Sequence, residues 1–201
     1  MESSLRVAAF EDGAFQPEEA RRRRVKTFLL GVLTRNSNIL DVSLTLITVD
    51  GLDATDRLVE QASRWKGKAD LIMLGSLACA GFNLVDPEEA SSRLGVPVLV
   101  VLSRKPRKTA VRRALKRHFP DWELRVKIVE KAESFIPVKL PGGQAYIAAF
   151  GLRGEEALET VKGLTVFGGR PEPLRAAKLL VRGCLLYTSD AADELDGVDL
   201  G

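Results

Sequence analysis

VSLTLITVDGLDATD, residues 42–56, contains the change of pattern that decides the fold. From Val42 to Val49 β-branched and apolar residues alternate, which predicts a strand that ends at the turn Asp50-Gly51. The period then becomes helical, and the segment from Asp53 to Asp56 offers a helix cap and an acidic first turn. The apolar residues that recur at helical spacing are Leu58, Val59, Ala62 and Trp65. This stretch therefore predicts a strand that leads directly into an amphipathic helix.

Two more strands are predicted upstream of this stretch. The apolar run from Leu5 to Phe10 ends at the acidic turn Glu11-Asp12-Gly13, so the first strand carries carboxylates to its end. The second strand covers Val25 to Thr34. Because short connections join these three strands, we expect an antiparallel meander.

Strands and helices alternate downstream. Leu71 to Leu74 is typical of a buried strand, Pro87 to Leu94 of a short helix and Val96 to Leu102 of an apolar strand, which together favour a right-handed parallel crossover. The other predicted elements are a basic helix over Thr109–Phe119, a strand over Leu124–Val129, and segments around Ala145–Ala149, Glu155–Val161 and Pro173–Val181. With no internal repeat, the expected fold is α/β, a mixed sheet flanked by helices.

The composition is typical of one globular domain. The chain has 201 residues, of which 45% are hydrophobic and 28% charged, with a formal net charge of +3, so it has enough apolar residues to bury a core. Two cysteines, Cys79 and Cys184, and the single His118 argue against a disulfide framework and a zinc cluster. No apolar run reaches eighteen residues, and we expect a cytoplasmic protein without a membrane partner.

The last eighteen residues depart from the pattern of the rest. The segment CLLYTSDAADELDGVDLG, residues 184–201, is acidic and lacks a clear apolar period. Its first part resembles the translation of sequencing-adapter DNA. We therefore predict a folded domain over residues 1–183 and a non-native tail over residues 184–201.

Acidic residues cluster at the ends of predicted strands. Phosphodiester hydrolysis uses divalent cations that activate water, and Mg²⁺ prefers a few convergent carboxylates. Asp12 and Asp50 both precede glycine at a predicted strand end, whereas Asp53 and Asp56 also suit a helix cap. Carboxylates at these positions therefore indicate either a metal site or ordinary turns and caps. The complete set is Glu11, Asp12, Asp50, Asp53, Asp56 and Asp86.

A basic segment extends from Arg104 to Arg117 and contains no acidic residue. Lysine and arginine at this density can contact phosphates and make binding dependent on salt. The alternative is a solvated helix face. A second basic run, Arg21 to Arg24, lies between the first two predicted strands and could guide the same ligand.

Five motifs resemble an archaeal family catalogued as domain of unknown function ninety-nine. They are AAFEDGAF (8–15), ITVDGLDATD (47–56), AGFNLVD (80–86), GVPVLVVLSRKP (95–106) and PEPLRAAK (171–178). The family is also called endonuclease dU and is similar to endonuclease V. The resemblance implies a ribonuclease-H-like fold, with three antiparallel strands followed by parallel strands, and attack on DNA that contains deaminated bases.

The resemblance also implies a set of metal ligands. In this superfamily carboxylates on the first strand, near the start of the first helix and on the fourth strand hold Mg²⁺, for which Mn²⁺ can substitute. The first is Glu11 or Asp12, the second lies among Asp50, Asp53 and Asp56, and the third is absent because Gly75 stands where relatives frequently have aspartate. The resulting metal ligands are Glu11, Asp12, Asp50 and Asp53, with Asp12, Asp50 and Asp53 as the catalytic carboxylates.

We expect nucleic acid as the partner, DNA more than RNA. The resemblance adds Asn83 of the AGFN motif to the contacts expected from the basic segment. The predicted contacts are Asn83, Arg104, Lys105, Arg107, Lys108 and Arg112. The leading hypothesis is a divalent-metal-dependent endonuclease. The alternatives are a nucleic-acid-binding module that lost cleavage through Gly75, and a protein-interaction scaffold whose basic helix binds an acidic partner.

Overall fold

A central sheet of seven strands organises the protein. The structure, a computed structural model, describes residues 5–15, 25–105, 107–132 and 134–196, with side chains up to residue 184. The described strands are β1 (Arg6–Asp12), β2 (Lys26–Arg35), β3 (Asn38–Thr48), β4 (Leu71–Leu74), β5 (Ala78–Cys79), β6 (Asn83–Leu84), β7 (Val98–Leu102), β8 (Ile136–Leu140) and β9 (Gly143–Phe150). The described helices are α1 (Ala54–Ser63), α2 (Pro87–Leu94), α3 (Lys108–His118), α4 (Trp122–Lys131), α5 (Gly154–Gly163) and α6 (Glu172–Asp196).

The strand order in the sheet is β3-β2-β1-β4-β7-β9-β8. Strands β1, β2 and β3 are antiparallel neighbours, β4 lies parallel to both β1 and β7, and β9 is antiparallel to β7 and β8. The predicted meander followed by parallel strands is therefore confirmed. Strands β5 and β6 form a separate two-stranded ribbon beside the end of β4.

Both faces of the sheet are covered by helices. Alternation along β1 sends Ala8 and Phe10 to the face that packs against Trp65 and α1, and Val7 and Ala9 to the face that packs against α6. Strand β4, with the sequence LIML, is fully buried because it lies between two strands and under both helical layers. The core therefore consists of two apolar layers, one on each side of the sheet. Within the described part of the chain, no helix is long and apolar enough to cross a membrane.

One predicted element has the wrong type. Residues Leu124 to Val129 alternate in polarity as a strand would, yet they lie in helix α4. Helix α4 packs against α3, and Arg125 and Val126 are buried on one side of the helix. The contact between two helices that follow each other in the chain outweighs the local alternation.

Helix α6 continues to Asp196, beyond the predicted domain limit at residue 183. From residue 185 onward the structure describes the backbone of this helix alone. The division into residues 1–183 and 184–201 stays a prediction.

Gly31 of β2 allows the two largest aromatic side chains of the α1 layer to meet the sheet. A Cβ atom at Gly31 would lie 2.6 Å from Cε1 of Phe10 and 3.0 Å from Cη2 of Trp65. We expect Gly31→Ala to lower the free energy of unfolding by about 1–3 kcal/mol, because the rings are fully buried and must shift. Urea unfolding followed by the fluorescence of Trp65 and Trp122 measures this change.

The matched control is Gly163→Ala at the end of α5, where a Cβ atom would meet nothing within 4 Å. This variant should be as stable as the parent or more stable by up to about 1 kcal/mol. Equal stability of both variants would show that the packing around Gly31 is looser than these distances imply.

Candidate active site

Two carboxylates, one at the end of β1 and one in the turn after β3, bind the same short turn between β5 and β6. Asp12 Oδ2 accepts a hydrogen bond from the Ala80 N–H at 2.7 Å, and Asp50 Oδ1 accepts one from the Phe82 N–H at 2.8 Å. Gly81, at φ +83°, lies between them, and a Cβ atom there would be 2.3 Å from Asp50 Oδ1. The close approach of Asp50 to the turn therefore requires glycine at position 81.

The second oxygen of each carboxylate is uncommitted. Asp12 Oδ1 and Asp50 Oδ2 have no hydrogen-bond or ion-pair partner among the residues described. The backbone N–H groups hold the two side chains in place, and the second oxygen of each carboxylate can still accept a bond. Asp12 and Asp50 could therefore both bind a hard cation without losing the bonds that position them.

Asp53 and Asn83 form a separate polar cluster beneath this turn. The Asp53 carboxylate accepts hydrogen bonds from the Thr48 N–H at 3.2 Å, from Thr48 Oγ1 at 3.0 Å and from Asn83 Nδ2 at 2.6 Å. Burial acts to raise the pKa of Asp53, but the bonds from Asn83 and Thr48 outweigh it and hold that pKa below its usual value. The carboxylate is therefore ionised and occupied by protein donors.

The position of Asn83 differs from the one expected of a nucleic-acid contact. Its side chain is fully buried, with Oδ1 accepting from the Ala54 N–H at 2.9 Å and Nδ2 also donating to the Thr48 carbonyl at 2.8 Å. Asn83 thus supplies the cap at the first residue of α1, which Asp53 was expected to supply. All its hydrogen-bonding capacity belongs to the fold, so Asn83 has a structural role here.

The other acids near these turns also have structural partners. Asp86 caps α2 through the Glu88 and Glu89 N–H groups and forms an ion pair with Lys131 at 2.7 Å. Asp56 is exposed and forms an ion pair with Arg93 at 2.7 Å, which links α1 to α2. Neither side chain joins Asp12 and Asp50 at the turn.

Arg125 of α4 connects the two turns that carry the site, and sequence reasoning did not identify it. Its guanidinium is 3% exposed and donates to the carbonyls of Asp50, Gly51 and Phe82 and to the Asp121 carboxylate. The residue lies in the segment predicted as a strand, where a single arginine gives no signal of burial. The one indication of this role in the sequence is that Arg125 follows Asp121 closely in an otherwise amphipathic helix.

Glu11 faces two cations from the C-terminal part of the chain. It is 6% exposed, and its oxygens lie 2.5 Å from Arg170 Nη2 and 3.3 Å from Lys178 Nζ. Burial raises the pKa of the Glu11 carboxyl above its ordinary value, while the charges of Arg170 and Lys178 act to lower it. Glu11 is therefore a paired acid whose two oxygens are already in contact with protein cations.

Gly75 provides the space for this ion pair. A Cβ atom at Gly75 would lie 2.1 Å from Glu11 Oε1 and 2.3 Å from Arg170 Nη2. The place that a side chain of residue 75 would occupy is therefore filled by the contact between Glu11 and Arg170. Arg170 was not predicted as a site residue, although it directly precedes the PEPLRAAK motif.

The four predicted metal ligands do not form one group. Asp12 and Asp50 share the turn at residues 80–82, Glu11 faces Arg170 and Lys178, and Asp53 faces Thr48 and Asn83. Across the described residues, no three acidic, histidine or cysteine side chains are arranged to hold a metal ion. Of the four, Asp12 and Asp50 are the two that keep an oxygen without a partner among the described residues. Two carboxylates suffice where water and substrate phosphate complete the coordination.

The predicted basic contacts lie on an exposed surface. Arg104, Lys105, Arg107, Lys108 and Arg112 are all exposed, and Arg112 lies 3.6 Å from Glu130. An open depression of about 570 Å³ is lined by Lys105, Arg107, Lys108, Thr109, Ala110, Arg113 and Phe135. Arg21 to Arg24 lie outside the described residues.

A smaller apolar cavity shares two lining residues with this depression. The cavity has a volume of about 130 Å³, and its lining includes Ser76, Phe82, Lys108 and Phe135. Lys108 and Phe135 line both spaces. The smaller cavity is thus bordered by Lys108 of the basic segment, by Ser76, the neighbour of Gly75, and by Phe82, whose N–H binds Asp50.

Known sequences match almost the whole chain. Residues 3–185 match the family described as endonuclease dU. A UPF0215 protein of Thermococcus gammatolerans is 37% identical over 179 residues, which are 88% of this chain and 90% of the relative. A UPF0215 protein of Methanothermobacter thermautotrophicus is 36% identical over 192 residues, which are 94% of this chain and 92% of the relative.

Solved structures match the fold. A protein of unknown function from Archaeoglobus fulgidus aligns with a TM-score of 0.78 and 31% identity over 90% of this chain and 98% of that one. Endonuclease V of Ciona intestinalis, solved with a DNA containing inosine, aligns with a TM-score of 0.61 and 13% identity over 94% of this chain and 89% of that one. The second likeness concerns the fold alone and confirms the predicted ribonuclease-H-like architecture.

The ion pair of Glu11 makes stability depend on pH in a defined direction. Arg170→Gln removes the charge that lowers the pKa of Glu11, so that this pKa rises further. A raised pKa in the folded state stabilises the protein at low pH, and this stabilisation disappears as the pH rises. We expect the variant to be less stable than the parent by about 2 kcal/mol at pH 7 and by a smaller amount at pH 4. The magnitude is that of a buried ion pair, reduced because Arg170 is partly exposed.

Chemical unfolding at both pH values measures the difference. Arg153→Gln is the control, because Arg153 is 86% exposed and 4.0 Å from Glu156, and it should change stability by less than about 0.5 kcal/mol. A deficit for Arg170→Gln that is equal at both pH values would contradict the role of the Glu11 charge.

Proposed function

Because the chain belongs to the endonuclease dU family, we propose that it binds DNA containing deaminated bases and hydrolyses a phosphodiester bond there with the help of one divalent cation. The observation that carries the proposal is the pairing of Asp12 and Asp50 on the turn of residues 80–82, each with one oxygen uncommitted. The fold shared with endonuclease V is compatible with it.

Asp12 and Asp50 would hold the Mg²⁺ or Mn²⁺ ion. When bound, such an ion activates water and neutralises charge on the leaving oxygen. The backbone N–H groups of Ala80 and Phe82 keep the two carboxylates oriented, so the side chains need no rearrangement to bind a cation. Arg125 is a positioning residue, because it holds the carbonyls of Asp50, Gly51 and Phe82 and touches no reacting group.

Glu11, Arg170 and Lys178 would supply positive charge next to the phosphate. Arg170 and Lys178 are about one-third exposed, whereas Glu11, which partly neutralises them, is buried. Three charges with a net value of +1 remain beside Asp12 when Glu11 is ionised. Arg170 and Lys178 would attract a phosphodiester group to this end of β1 without forming a covalent bond.

The basic surface would bind the DNA backbone on either side of the reacting phosphate. Arg104, Lys105, Arg107, Lys108 and Arg112 are exposed, and Lys108 lines both the depression beside them and the apolar cavity that Phe82 borders. Each phosphate neutralised by a lysine or arginine releases counterions and strengthens binding at low salt. Asn83 is left out of this surface because its side chain is fully buried.

A second candidate function, nucleic-acid binding without cleavage, is favoured by Gly75. The contact between Glu11 and Arg170 fills the place of a side chain at residue 75, where the resemblance to the family implies an aspartate. A site that has this ion pair in that place lacks one hard metal ligand. The same fold and the same basic surface would then serve binding alone.

We expect Asp12→Asn and Asp50→Asn each to reduce cleavage of duplex DNA containing deoxyuridine or deoxyinosine by about 100-fold or more, because a metal ligand loses its charge. Asparagine keeps an oxygen that can accept the N–H of Ala80 or Phe82, so the fold should persist. Cleavage of end-labelled DNA in Mg²⁺ or Mn²⁺, with circular dichroism of each variant, measures both effects.

Asp56→Asn is the matched control, because Asp56 is exposed and pairs with Arg93 away from the turn. It should retain the parent rate. A parent protein that binds DNA but leaves it intact in both metals would establish the second candidate. Gly75→Asp by itself would not test the missing ligand, since a Cβ atom at residue 75 would lie 2.1 Å from Glu11 Oε1 and 2.3 Å from Arg170 Nη2.

Substitution of three basic residues, Lys105→Gln, Arg107→Gln and Arg112→Gln, should weaken DNA binding and make it less dependent on salt. The slope of log affinity against log salt should become shallower by about 0.9 for each phosphate that the protein no longer neutralises, or about 2.7 for three. Fluorescence anisotropy with labelled DNA between low and moderate salt measures the slope.

The control triple variant Lys66→Gln, Lys68→Gln and Lys162→Gln removes the same charge from exposed positions elsewhere. It should change the slope much less. Equal slopes for the two triple variants would mean that net charge, and not the surface around α3, governs binding.

A further inference from the structure

Strand β3 forms one edge of the sheet and lacks the usual protection of an edge strand. It is eleven residues long, and its sequence NILDVSLTLIT contains no lysine, arginine or proline. Edge strands of this length normally carry such residues, because an open row of N–H and C=O groups pairs readily with another strand. The single charged residue of β3 is Asp41, whose carboxylate accepts from Trp65 Nε1 at 2.8 Å.

The pairing of β3 with β2 determines which backbone groups point outward. The Val49 N–H donates to the Val25 carbonyl, so from Asp41 to Val49 the odd-numbered residues bond to β2, and the N–H and C=O groups of the even-numbered residues point away from the sheet. A register shift opposite Leu33 and Thr34 ends this pattern before Asp41. Two of these outward N–H groups are capped by carboxylates. Asp41 Oδ1 accepts from Val42 at 2.8 Å, and Asp53 accepts from Thr48 at 3.2 Å.

Between the two caps the outward groups of Leu44 and Leu46 remain open. Neither N–H group has a partner within the described part of the chain. The caps at Val42 and Thr48 are equally distant from Thr45, three residues to each side. The open segment is therefore symmetric about Thr45, with one outward residue before it and one after it.

The same residues carry an apolar stripe. The side chains of Val42, Leu44 and Leu46 are 43%, 44% and 46% exposed and lie on the face of the sheet opposite α1. Helix α6 covers this face over β1 and β2, where Leu30 and Val32, the partners of Leu44 and Val42, are buried. Beyond α6 the apolar layer continues onto β3 without a cover from the described residues.

We propose that two copies of the chain form a dimer in which β3 pairs antiparallel with β3 of the second copy, about a two-fold axis that passes beside Thr45. Leu44 of each copy then lies opposite Leu46 of the other, and each such pair exchanges two backbone hydrogen bonds. The two Thr45 residues face each other as a pair without hydrogen bonds. The four open N–H groups, two in each copy, all gain an acceptor.

A second copy suits this edge better than an unrelated partner. The caps limit the open segment to the length that a symmetric pairing about Thr45 uses, so both strands would end their pairing at the same carboxylates. The stripe is uncharged and would meet an identical uncharged stripe, in which Leu44 contacts Leu46 of the second copy. Isologous contacts of this kind are the usual basis of two-fold dimers.

The first test is the mass of the full chain in solution. Sedimentation equilibrium of the parent protein should show a species of twice the chain mass of 22.0 kDa at micromolar concentration. Leu44→Lys with Leu46→Lys places like charges opposite each other and should convert this species to monomer. Leu124→Lys with Leu179→Lys, at side chains that are 50% and 56% exposed, is the matched control and should remain dimeric.

The second test addresses the register and does not depend on the lysine variant folding. In a Cys184→Ser background, Thr45→Cys should form an intermolecular disulfide on mild oxidation, since facing residues of a pair without hydrogen bonds have Cα atoms about 4.5 Å apart. Asn38→Cys, exposed on the same strand but seven residues from the axis, should not crosslink. Cys79 is buried and does not interfere.

Three results would overturn the proposal. A parent protein that is monomeric up to about 100 times the concentration of the first measurement has no such dimer. A dimer that persists in the Leu44 and Leu46 double variant uses another surface. A crosslink that forms through residue 38 and not through residue 45 means that β3 pairs in another register or with another partner.

Discussion

The hydrogen bonds of one buried amide, that of Asn83, hold the candidate site together. This side chain joins the end of β3, the first residue of α1 and the Asp53 carboxylate, and it is fully buried. Removal of such an amide would leave several buried polar groups without partners, at a cost of about 1–3 kcal/mol each. The ribbon of β5 and β6 is therefore held in one place against the sheet. From there its turn at residues 80–82 reaches the carboxylates of Asp12 and Asp50.

The charges around this frame fall into two groups with different chemistry. Asp12 and Asp50 are held by backbone N–H groups, which orient a carboxylate and leave its charge available to a cation. Glu11 is held by Arg170 and Lys178, whose own charges oppose the binding of a metal ion. Gly75 belongs with the second group, because the contact between Glu11 and Arg170 occupies the space that a side chain of residue 75 would fill. This division of charges fits a site that binds one cation together with the substrate better than a site built from several convergent carboxylates.

Helix α4 shows where local pattern and tertiary contact disagree. Its residues alternate in polarity over Leu124 to Val129, which is typical of a strand, but packing against α3 decides that the segment is helical. The consequence for the site is large, since Arg125 lies in this helix and bonds to three carbonyls of the turns that carry Asp50 and Phe82. A strand at this position would not have directed the guanidinium to those carbonyls. Strands β1, β2 and β4 and helices α1 and α2 were predictable because their apolar periods and capping residues are local.

The sequence by itself determined the order of most strands and helices, the antiparallel meander followed by parallel strands, and the family, because periodicity and motif order are properties of neighbouring residues. It also restricted the acids of interest to a few strand ends. The tertiary structure alone decided how those acids are divided. Glu11 and Arg170 are 159 residues apart in the chain, and Asn83 is 30 residues from Asp53, so no local pattern reports their contact. Distances between remote segments depend on how the layers pack. Packing places Glu11 against two cations and Asp53 against donors of the fold, and it places Asp12 and Asp50 at the turn of residues 80–82.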